Sequence, residues 1–242
     1  MRTAAALVIG NELLSGKVAE ANLVFLAREL RELGVLLRRA VMILDDIDEI
    51  AREVRELSAS HDVVFTSGGV GPTHDDLTID GVARAFGAGV VNAPEIEELI
   101  RRYYGERTTA SHLLMARVPE GARLVSSPSV PWPTLVMRNV WVLPGVPEVF
   151  RMKLPQVRGE LGGGAPFCSR AVFTRLDEGD LKPLLDRVVA AYGDVEIGSY
   201  PKWHDPEYRT KLTFDGLDEA RVCAARDAFV AELPAAAIVR VE

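Results

Sequence analysis

The chain has 242 residues, enough for one large domain or for one large and one small domain. Hydrophobic residues make up 48% of it and charged residues 26%, and this globular balance excludes a chain that is disordered throughout. The formal net charge of −7 disfavours nucleic acid as a partner, because phosphate contacts need clustered Lys and Arg side chains.

Cysteines and apolar runs narrow the class of protein further. The two cysteines, Cys168 and Cys223, are too few for a disulfide framework or a cysteine-based zinc site. The apolar run at 4–10 is too short for a signal peptide or a membrane span, and no run of about 18 apolar residues occurs elsewhere. We therefore expect a cytoplasmic protein with no membrane partner.

Strand and helix patterns alternate through the first third of the chain. Continuous apolar runs predict buried strands, and apolar residues at helical spacing predict the helices between them. In chain order the pattern predicts strand 4–10, helix 19–33, strand 35–43, helix 47–60, strand 63–65 and helix 77–86. This alternation predicts an α/β fold in which helices cover both faces of a parallel sheet.

The pattern is less regular up to residue 166. It predicts helix 94–104, a Pro- and Ser-rich loop at 126–133, strands 134–137 and 140–143, and a helix from Pro147 to about Leu154. Four glycines and a proline at 159–166 predict a linker between domains.

The order of elements changes beyond this linker. The pattern predicts strand 171–176, helix 181–192, strands 195–200 and 209–214 around a turn at 203–208, helix 217–233 and strand 235–242. This β-α-β-β-α-β order is typical of a small α+β unit with antiparallel strands. We therefore expect two domains, at 1–160 and 167–242.

The strongest local signal is the segment 66–78, TSGGVGPTHDDLT, which joins a buried strand to a helix. Its glycines permit a sharp turn and the close approach of a ligand, and its exposed N–H groups favour an anion. It matches neither a P-loop nor a dinucleotide fingerprint. The alternative is a tight turn that is capped by Asp75 or Asp76. Adjacent carboxylates in a phosphate-holding loop favour a Mg²⁺-type oxygen site.

Two further turns follow the first two predicted strands. The segment 10–16, GNELLSG, offers a turn glycine, the carboxylate of Glu12 and the hydroxyl of Ser15, and the pair Asp45-Asp46 ends the second strand. Taken alone, each turn is better explained as a set of helix caps. Because successive parallel strands end at the same edge of a sheet, we expect these loops to converge on one site.

The segment 143–148, LPGVPE, ends another strand and leads into a helix at Pro147. Gly145 permits close approach, and the free N–H groups of the helix start predict a second anion pocket. Two anion-binding loops suit a ligand that carries two linked phosphates.

These three segments resemble the motifs of the molybdenum-cofactor-biosynthesis family, the molybdopterin-binding domains of the MoaB/MogA-like type. The loop GG-x-GPT-x-DD-x-T is the specific motif, and the segments 10–16 and 143–148 support it. The chain resembles the N-terminal part of the CinA-like, competence/damage-inducible branch. The segments 133–148 and 197–216 resemble still more closely the molybdopterin-binding-like domain of FAD synthases. The resemblance spans about residues 4–240.

The resemblance implies a three-layer α/β/α fold with a mostly parallel central sheet and a small KH-type α+β subdomain at 167–242. It implies a homo-oligomer, a dimer or a trimer, and a small nucleotide or pterin as ligand. The nicotinamide-mononucleotide deamidase domain of CinA and the FAD-synthesising domain are not expected within these 242 residues.

The resemblance also implies which residues form the site, one motif at a time. The resemblance assigns catalysis to Asp76, aided by Asp75, and to a second carboxylate at Asp46 or its neighbour Asp45. Asp76 and Asp46, with Glu12, are the implied ligands of a divalent cation, Mg²⁺ or Co²⁺, with K⁺ as a further candidate. The implied ligand-binding residues are Gly10, Glu12, Ser15, Ser67, Gly68, Gly69, Gly71, Pro72, Thr73, Gly145 and Pro147.

One departure from the family pattern bears on the metal. Many CinA-like members carry Asp immediately before the first-loop glutamate, whereas this chain has Asn11. One potential metal ligand is therefore absent.

Three functions remain as alternatives. The first is an enzyme that uses a metal to hydrolyse a nucleotide diphosphate linkage, with ADP-ribose or FAD as substrate. The second is a molybdopterin-binding or adenylyl-transferring protein of molybdenum cofactor biosynthesis. The third is a non-catalytic interaction module that retains the loop only as a folded turn.

Overall fold

The structure is a computed structural model that describes residues 1–204 and 206–242. Asp205, part of the turn predicted at 203–208, lies outside the described residues. The chain forms two compact units, Met1–Gly164 and Ala165–Glu242.

The first unit contains eight described strands and seven α-helices. The strands are β1 (Arg2–Ile9), β2 (Val35–Ile43), β3 (Val63–Ser67), β4 (Val90–Asn92), β5 (Arg117–Pro119), β6 (Arg123–Ser127), β7 (Val130–Met137) and β8 (Val140–Leu143). The helices are α1 (Asn11–Leu14), α2 (Asn22–Glu32), α3 (Ile47–Ser60), α4 (Thr78–Ala85), α5 (Pro94–Tyr104), α6 (Ala110–Leu113) and α7 (Pro147–Leu161).

The central sheet has six strands in the order β2-β1-β3-β8-β7-β6. The strands β2, β1, β3 and β8 are parallel, and β7 and β6 continue the sheet as antiparallel neighbours. The short strands β4 and β5 form a separate antiparallel pair. The parallel part brings the ends of four strands to one edge, and this edge is where the site lies.

Helices cover both faces of the sheet because β1 alternates its side chains between two core layers. Leu7 packs in the same cluster as Ile50 of α3 on one face. Ala6 packs with Leu30 of α2 and Phe150 of α7 on the other face. The predicted three-layer α/β/α fold with a mostly parallel sheet is confirmed.

The prediction of a loop at 126–133 is wrong, because β6 and β7 form an antiparallel hairpin there. Val125 lies opposite Thr134 and Ser127 opposite Val130, and the register shifts between these two pairs. Pro131 and Pro133 lie within β7, although a proline lacks the N–H that donates to a neighbouring strand. They are tolerated because they fall in this register shift, and because β8 pairs only with residues 135–137 of β7.

The helix α7 is longer than predicted and absorbs the first residues of the predicted linker. It runs through Pro155 to Leu161 instead of ending near Leu154. Pro155 removes one intrahelical hydrogen bond, but it lies on the exposed face, where water can solvate the freed carbonyl.

The second unit contains β9 (Cys168–Thr174), α8 (Glu178–Ala191), β10 (Glu196–Pro201), β11 (Thr210–Gly216), α9 (Glu219–Glu232) and β12 (Ile238–Val241). Its four strands form an antiparallel sheet in the order β10-β11-β9-β12. The predicted small α+β unit is confirmed. The helix α8 begins three residues earlier than predicted because Asp177 caps it, accepting hydrogen bonds from the N–H groups of Gly179 and Asp180.

None of the helices among the described residues has the length and apolarity that a bilayer crossing requires.

Candidate functional site

The turns that follow β1, β3 and β8 meet at one edge of the sheet. A Cβ atom added to Gly68 would lie 2.1 Å from the carbonyl oxygen of Ile9, and one added to Gly145 would lie 3.2 Å from the Cα atom of Gly68. The backbones approach so closely that only glycine fits at position 68, and a side chain at position 145 would require the glycine loop to shift by a few tenths of an ångström. The predicted convergence of these turns is therefore present in the structure.

The glycine loop exposes a run of backbone donors. Gly68 and Gly69 have positive φ angles of 108° and 62°, and Thr78 secures the loop by donating its hydroxyl to the carbonyl of Gly68 at 2.8 Å. No described residue accepts a hydrogen bond from the N–H groups of Gly69, Val70 or Gly71. Successive free N–H groups in such a turn form an anion-binding concavity.

Asp76 closes the far side of this loop. Its carboxylate accepts a hydrogen bond from the backbone N–H of Thr73 at 2.8 Å and a short one from the Thr73 hydroxyl. A Cβ atom on Gly71 would lie 2.7 Å from Oδ2 of Asp76. The Thr73 hydroxyl also lies 2.7 Å from Oδ1 of the neighbouring Asp75, and this hydrogen bond lowers the pKa of Asp75. Asp76 thus holds the turn together through Thr73 and does not cap α4, whose N-cap is Leu77 without a side-chain hydrogen bond. The site role of Asp75 and Asp76 stays a prediction.

The first loop is tied to the end of β2 by a reciprocal pair of hydrogen bonds. The N–H of Asn11 donates to Oδ2 of Asp45 at 2.8 Å, and the N–H of Asp45 donates to Oδ1 of Asn11 at 3.3 Å. Burial raises the pKa of Asp45, the Asn11 N–H lowers it, and repulsion by the carboxylates of Glu12, Asp75 and Asp76 raises it further. The carboxylate of Asp45 therefore lies near enough to three others to interact with each of them.

Asp46 has a different position from Asp45. It is the N-cap of α3, and its Oδ1 accepts a hydrogen bond from the N–H of Glu49 at 2.8 Å. The sequence predicts catalysis and metal binding for Asp46, with Asp45 as the alternative for the catalytic carboxylate. In the structure it is Asp45 that lies near the other carboxylates. Ser15 is likewise engaged locally, donating its hydroxyl to the carbonyl of Glu12 at 3.2 Å.

The predicted metal ligands do not form a ready site. Among the described residues, no group of three or more His, Cys, Asp or Glu side chains is arranged to hold a metal ion. Asp46 caps a helix and Asp76 is held by Thr73, so the chain alone does not assemble the set Asp76, Asp46 and Glu12. We therefore derive no reaction step through a cation.

Asn22, which the sequence analysis missed, joins two of the loops. Its Nδ2 donates to Oγ of Ser67 at 3.0 Å and to the carbonyl of Gly145 at 2.8 Å. The side chain is buried, and it begins α2 without belonging to any motif. It fixes the spacing between the glycine loop and the start of α7, where Pro147 occupies the first turn.

A large cavity opens beside the glycine loop. Its volume is about 580 Å³, and the residues Gly71, Pro72, Thr73 and Asp76 form one part of its lining. The rest is mainly apolar and aromatic, contributed by Val70, Ile79, Ile96, Tyr103, Tyr104, Leu114, Met115, Arg117, Val118, Pro131, Trp132, Pro133, Leu135, Val142, Pro144, Val149, Met152 and Lys153. The size and composition are those of a site for a small organic ligand.

The aromatic wall of this cavity was not predicted. Tyr103 lies edge-on to Trp132, with ring centroids 6.0 Å apart, and to Tyr104, with centroids 4.9 Å apart. Tyr103 and Tyr104 end α5 while Trp132 lies in β7, so no sequence motif joins them. The available signal was the aromatic composition of two segments that the sequence analysis treated as a plain helix and a loop.

A family model described as a probable molybdopterin-binding domain matches residues 5–157. The chain belongs to this molybdopterin-binding domain family. A second family model, described as the middle domain of FAD synthase, matches residues 166–242. The two matches cover the two units, and the predicted resemblance to this family and to FAD synthases is confirmed.

Relatives from three groups are similar along most of the chain. A protein named "Probable FAD synthase" from Caenorhabditis elegans is 34% identical over 88% of this chain, which spans only 46% of that relative's length. A protein from Archaeoglobus fulgidus is 33% identical, with 88% of this chain and 90% of the relative covered. A CinA-like protein from Myxococcus xanthus is 31% identical over 90% of this chain and 55% of its own length.

A solved structure supports the fold of this family member. The crystal structure of the protein CinA from Thermoplasma acidophilum, described as of unknown function, has a TM-score of 0.60 and 32% sequence identity. It covers 66% of this chain and 98% of its own.

Proposed function

We propose that the first unit binds a dinucleotide with a central diphosphate and hydrolyses the linkage between its two phosphates. The observation that carries this proposal is the run of free N–H groups at 69–71 beside a large cavity with an aromatic wall. The run offers donors to an anion, and the cavity offers apolar surface to a flat ring. A dinucleotide presents both features at a fixed spacing.

The aromatic wall favours FAD over ADP-ribose as the substrate. Tyr103, Tyr104 and Trp132 provide more flat apolar surface than a ribose can use, whereas an isoalloxazine ring can stack on it. The similarity of both units to proteins named for FAD synthesis supports a flavin nucleotide as the ligand class.

The proposed reaction is a balanced hydrolysis. The oxygen of a water molecule bonds to one phosphorus, the bridging oxygen leaves with the other phosphorus, and FAD gives FMN and AMP. Asp76 is the proposed acceptor of the water proton, because it borders the N–H run and its Oδ1 has no described hydrogen-bond partner. A requirement for Mg²⁺ or Co²⁺ stays a prediction, with the phosphates of the substrate as the additional ligands that Mg²⁺ commonly uses.

The second candidate is a pterin-binding or adenylyl-transferring protein. The description of the matching family as molybdopterin-binding favours it, and a pterin ring fits an aromatic cavity as well as a flavin does. A homo-oligomer is proposed in either case, because the resemblance to the family implies one.

The test is to incubate the purified protein with FAD or ADP-ribose and measure AMP by chromatography, with Mg²⁺, with Co²⁺ and with a chelator. We expect AMP from FAD, and a loss of about 100-fold or more in Asp76→Asn, which keeps the shape but removes the base. Asp227→Asn, an exposed carboxylate of α9, is the matched control. Absence of AMP from both substrates under all three conditions contradicts the proposal, and pterin binding without cleavage selects the second candidate.

A further inference from the structure

Lys153 is the buried cation of the cavity wall. It lies on α7, its residue is 7% exposed, and no described carboxylate lies within ion-pair distance of its ammonium group. Burial lowers the pKa of Lys153 to about 8. An unpaired buried charge costs stability, and such groups concentrate at functional sites.

The backbone of β7 fixes the direction of this ammonium group. Its Nζ atom donates to the carbonyl oxygens of Trp132 and Pro133, both at 2.7 Å. A lysine ammonium has three donors, and none of the described residues accepts the third. One N–H therefore has no described acceptor, and Lys153 is part of the lining of the cavity.

The position along α7 separates this donor from the proposed phosphate site. Lys153 lies about 9 Å along the helix axis from Pro147, where α7 begins beside the glycine loop. Trp132, whose carbonyl holds the ammonium, also contributes its ring to the aromatic wall. The cavity is thus bordered in one part by the glycine loop and in another by an aromatic wall that holds one fixed donor.

The chemistry of the donor discriminates between flat rings. An ammonium group donates only, so it needs an acceptor on the ring edge. Flavins and pterins share a fused pyrimidinone ring with carbonyl oxygens, whereas adenine has no carbonyl and carries an amino donor beside its ring nitrogens. Flavin and pterin also carry N–H groups, but their carbonyl oxygens project beyond the ring edge and can each accept two hydrogen bonds. Adenine accepts only at its ring nitrogens, so a fixed donor favours the pyrimidinone ring.

We infer that Lys153 is the specificity-determining residue of the cavity, and that its ammonium group donates to a carbonyl oxygen of a fused pyrimidinone ring. The pyrimidinone end of a dinucleotide then occupies the aromatic cavity, and the adenine end lies outside it. This inference rests on the proposed function for the linked diphosphate, but the recognition of the ring can be measured without it.

The test uses the full chain and ligands that lack phosphate. Riboflavin, pterin and adenosine are titrated separately, by flavin or pterin fluorescence and by calorimetry. We expect riboflavin or pterin to bind at least tenfold more tightly than adenosine. Lys153→Met should lose at least tenfold of the affinity for the preferred ring and leave adenosine unchanged. Lys182→Met, which removes an exposed lysine paired with Asp186, should retain wild-type affinities.

If Lys153→Met does not fold, Lys153→Arg takes its place: it keeps a charged donor and should retain the preference, and loss of the preference in a folded Lys153→Arg protein overturns the inference. Equal affinity for riboflavin, pterin and adenosine overturns the inference, as does an unchanged preference in a folded Lys153→Met protein. Ring preference without AMP release contradicts only the hydrolysis, and AMP release without ring preference contradicts only the role of Lys153. Tighter binding of pterin than of riboflavin selects the second candidate function.

Discussion

Asp45 and Asp46 are adjacent in the sequence but serve different parts of the structure. Asp46 caps α3, whereas Asp45 holds the first loop through Asn11 and interacts with three other carboxylates. A pair of aspartates at a strand end does not reveal this division, because it depends on which side chain faces the helix and which faces the neighbouring loop.

Substitutions can separate the two roles. Asp46→Ser removes the carboxylate but keeps an N-cap, so we expect the free energy of unfolding to stay within about 0.5 kcal/mol and AMP release to persist. Asp46→Ala should cost about 1 kcal/mol of stability. Asp45→Ala should release the first loop and lower AMP formation at least tenfold. Urea unfolding and the AMP assay check these outcomes, and a folded but inactive Asp46→Ser protein would show that Asp46 is the site carboxylate.

Because of Lys153, we expect the free energy of unfolding and the affinity for the ring to change with pH in opposite directions. The pKa of Lys153 is about 8 in the folded protein, below the 10.5 of an unperturbed lysine. The unfolded chain therefore holds the proton more tightly, and the free energy of unfolding rises with pH. The rise between pH 7.5 and 9 should be about 1 kcal/mol. Affinity for the pyrimidinone ring should fall over the same interval, because the ammonium loses its charge.

The measurement is urea unfolding together with riboflavin titration at several pH values, for wild type and Lys153→Met. The other titratable or charged groups that line the cavity are Asp76, Tyr103, Tyr104 and Arg117, so the signal is the difference between the two proteins. A rise in stability of the same size in both proteins would contradict the assignment to Lys153.

Sequence reasoning singled out residues whose contacts are local. Gly68, Gly69 and Thr73 lie in one loop, and their motif is contiguous. The sequence did not point to Asn22 or Lys153, because each donates hydrogen bonds to carbonyl groups of segments that are distant in the chain. Neither residue carries a local pattern that points to such a partner.

At the scale of elements, the packing of α4 on α3 depends on one glycine. A Cβ atom on Gly81 would lie 2.3 Å from Cγ2 of Ile50, a buried core side chain. Gly81→Ala should therefore lower the free energy of unfolding by about 1–3 kcal/mol, as overpacked cores do. Because α4 follows the glycine loop directly, we also expect weaker FAD binding.

The control is Gly159→Ala in the last turns of α7, where the added methyl group meets no atom within 4 Å. There alanine should raise stability by about 0.5–1 kcal/mol through helix propensity. Urea unfolding of both variants checks the pair. A stabilised Gly81→Ala protein would mean that α3 and α4 pack less tightly than described.

Helices and buried strands were predicted because their periodicity is strong, as the agreement at α3 and α5 illustrates. The hairpin of β6 and β7 was missed because Pro131 and Pro133 mark loops in most contexts. Whether a proline interrupts a strand depends on the neighbouring strand, which is a tertiary property. The same reasoning applies to Pro155, which is tolerated because it lies on the exposed face of α7.

At the scale of the whole molecule, every residue assigned to the site belongs to the first unit, Met1–Gly164. The parallel arrangement of β1, β2 and β3 could be predicted from the alternation of strands and helices, and with it the meeting of their turns. The order of the strands and the place of β8 beside β3 could not. The cavity could not, because its wall combines α5, β7 and α7 through contacts that no periodicity encodes.

The most direct test of the account is a crystal structure of the Asp76→Asn protein with FAD bound. We expect the diphosphate oxygens within hydrogen-bond distance of the N–H groups at 69–71. We also expect the isoalloxazine ring in the aromatic cavity, with one of its carbonyl oxygens accepting a hydrogen bond from Nζ of Lys153. A diphosphate bound away from the glycine loop, or adenine in the cavity in place of the flavin, would contradict it.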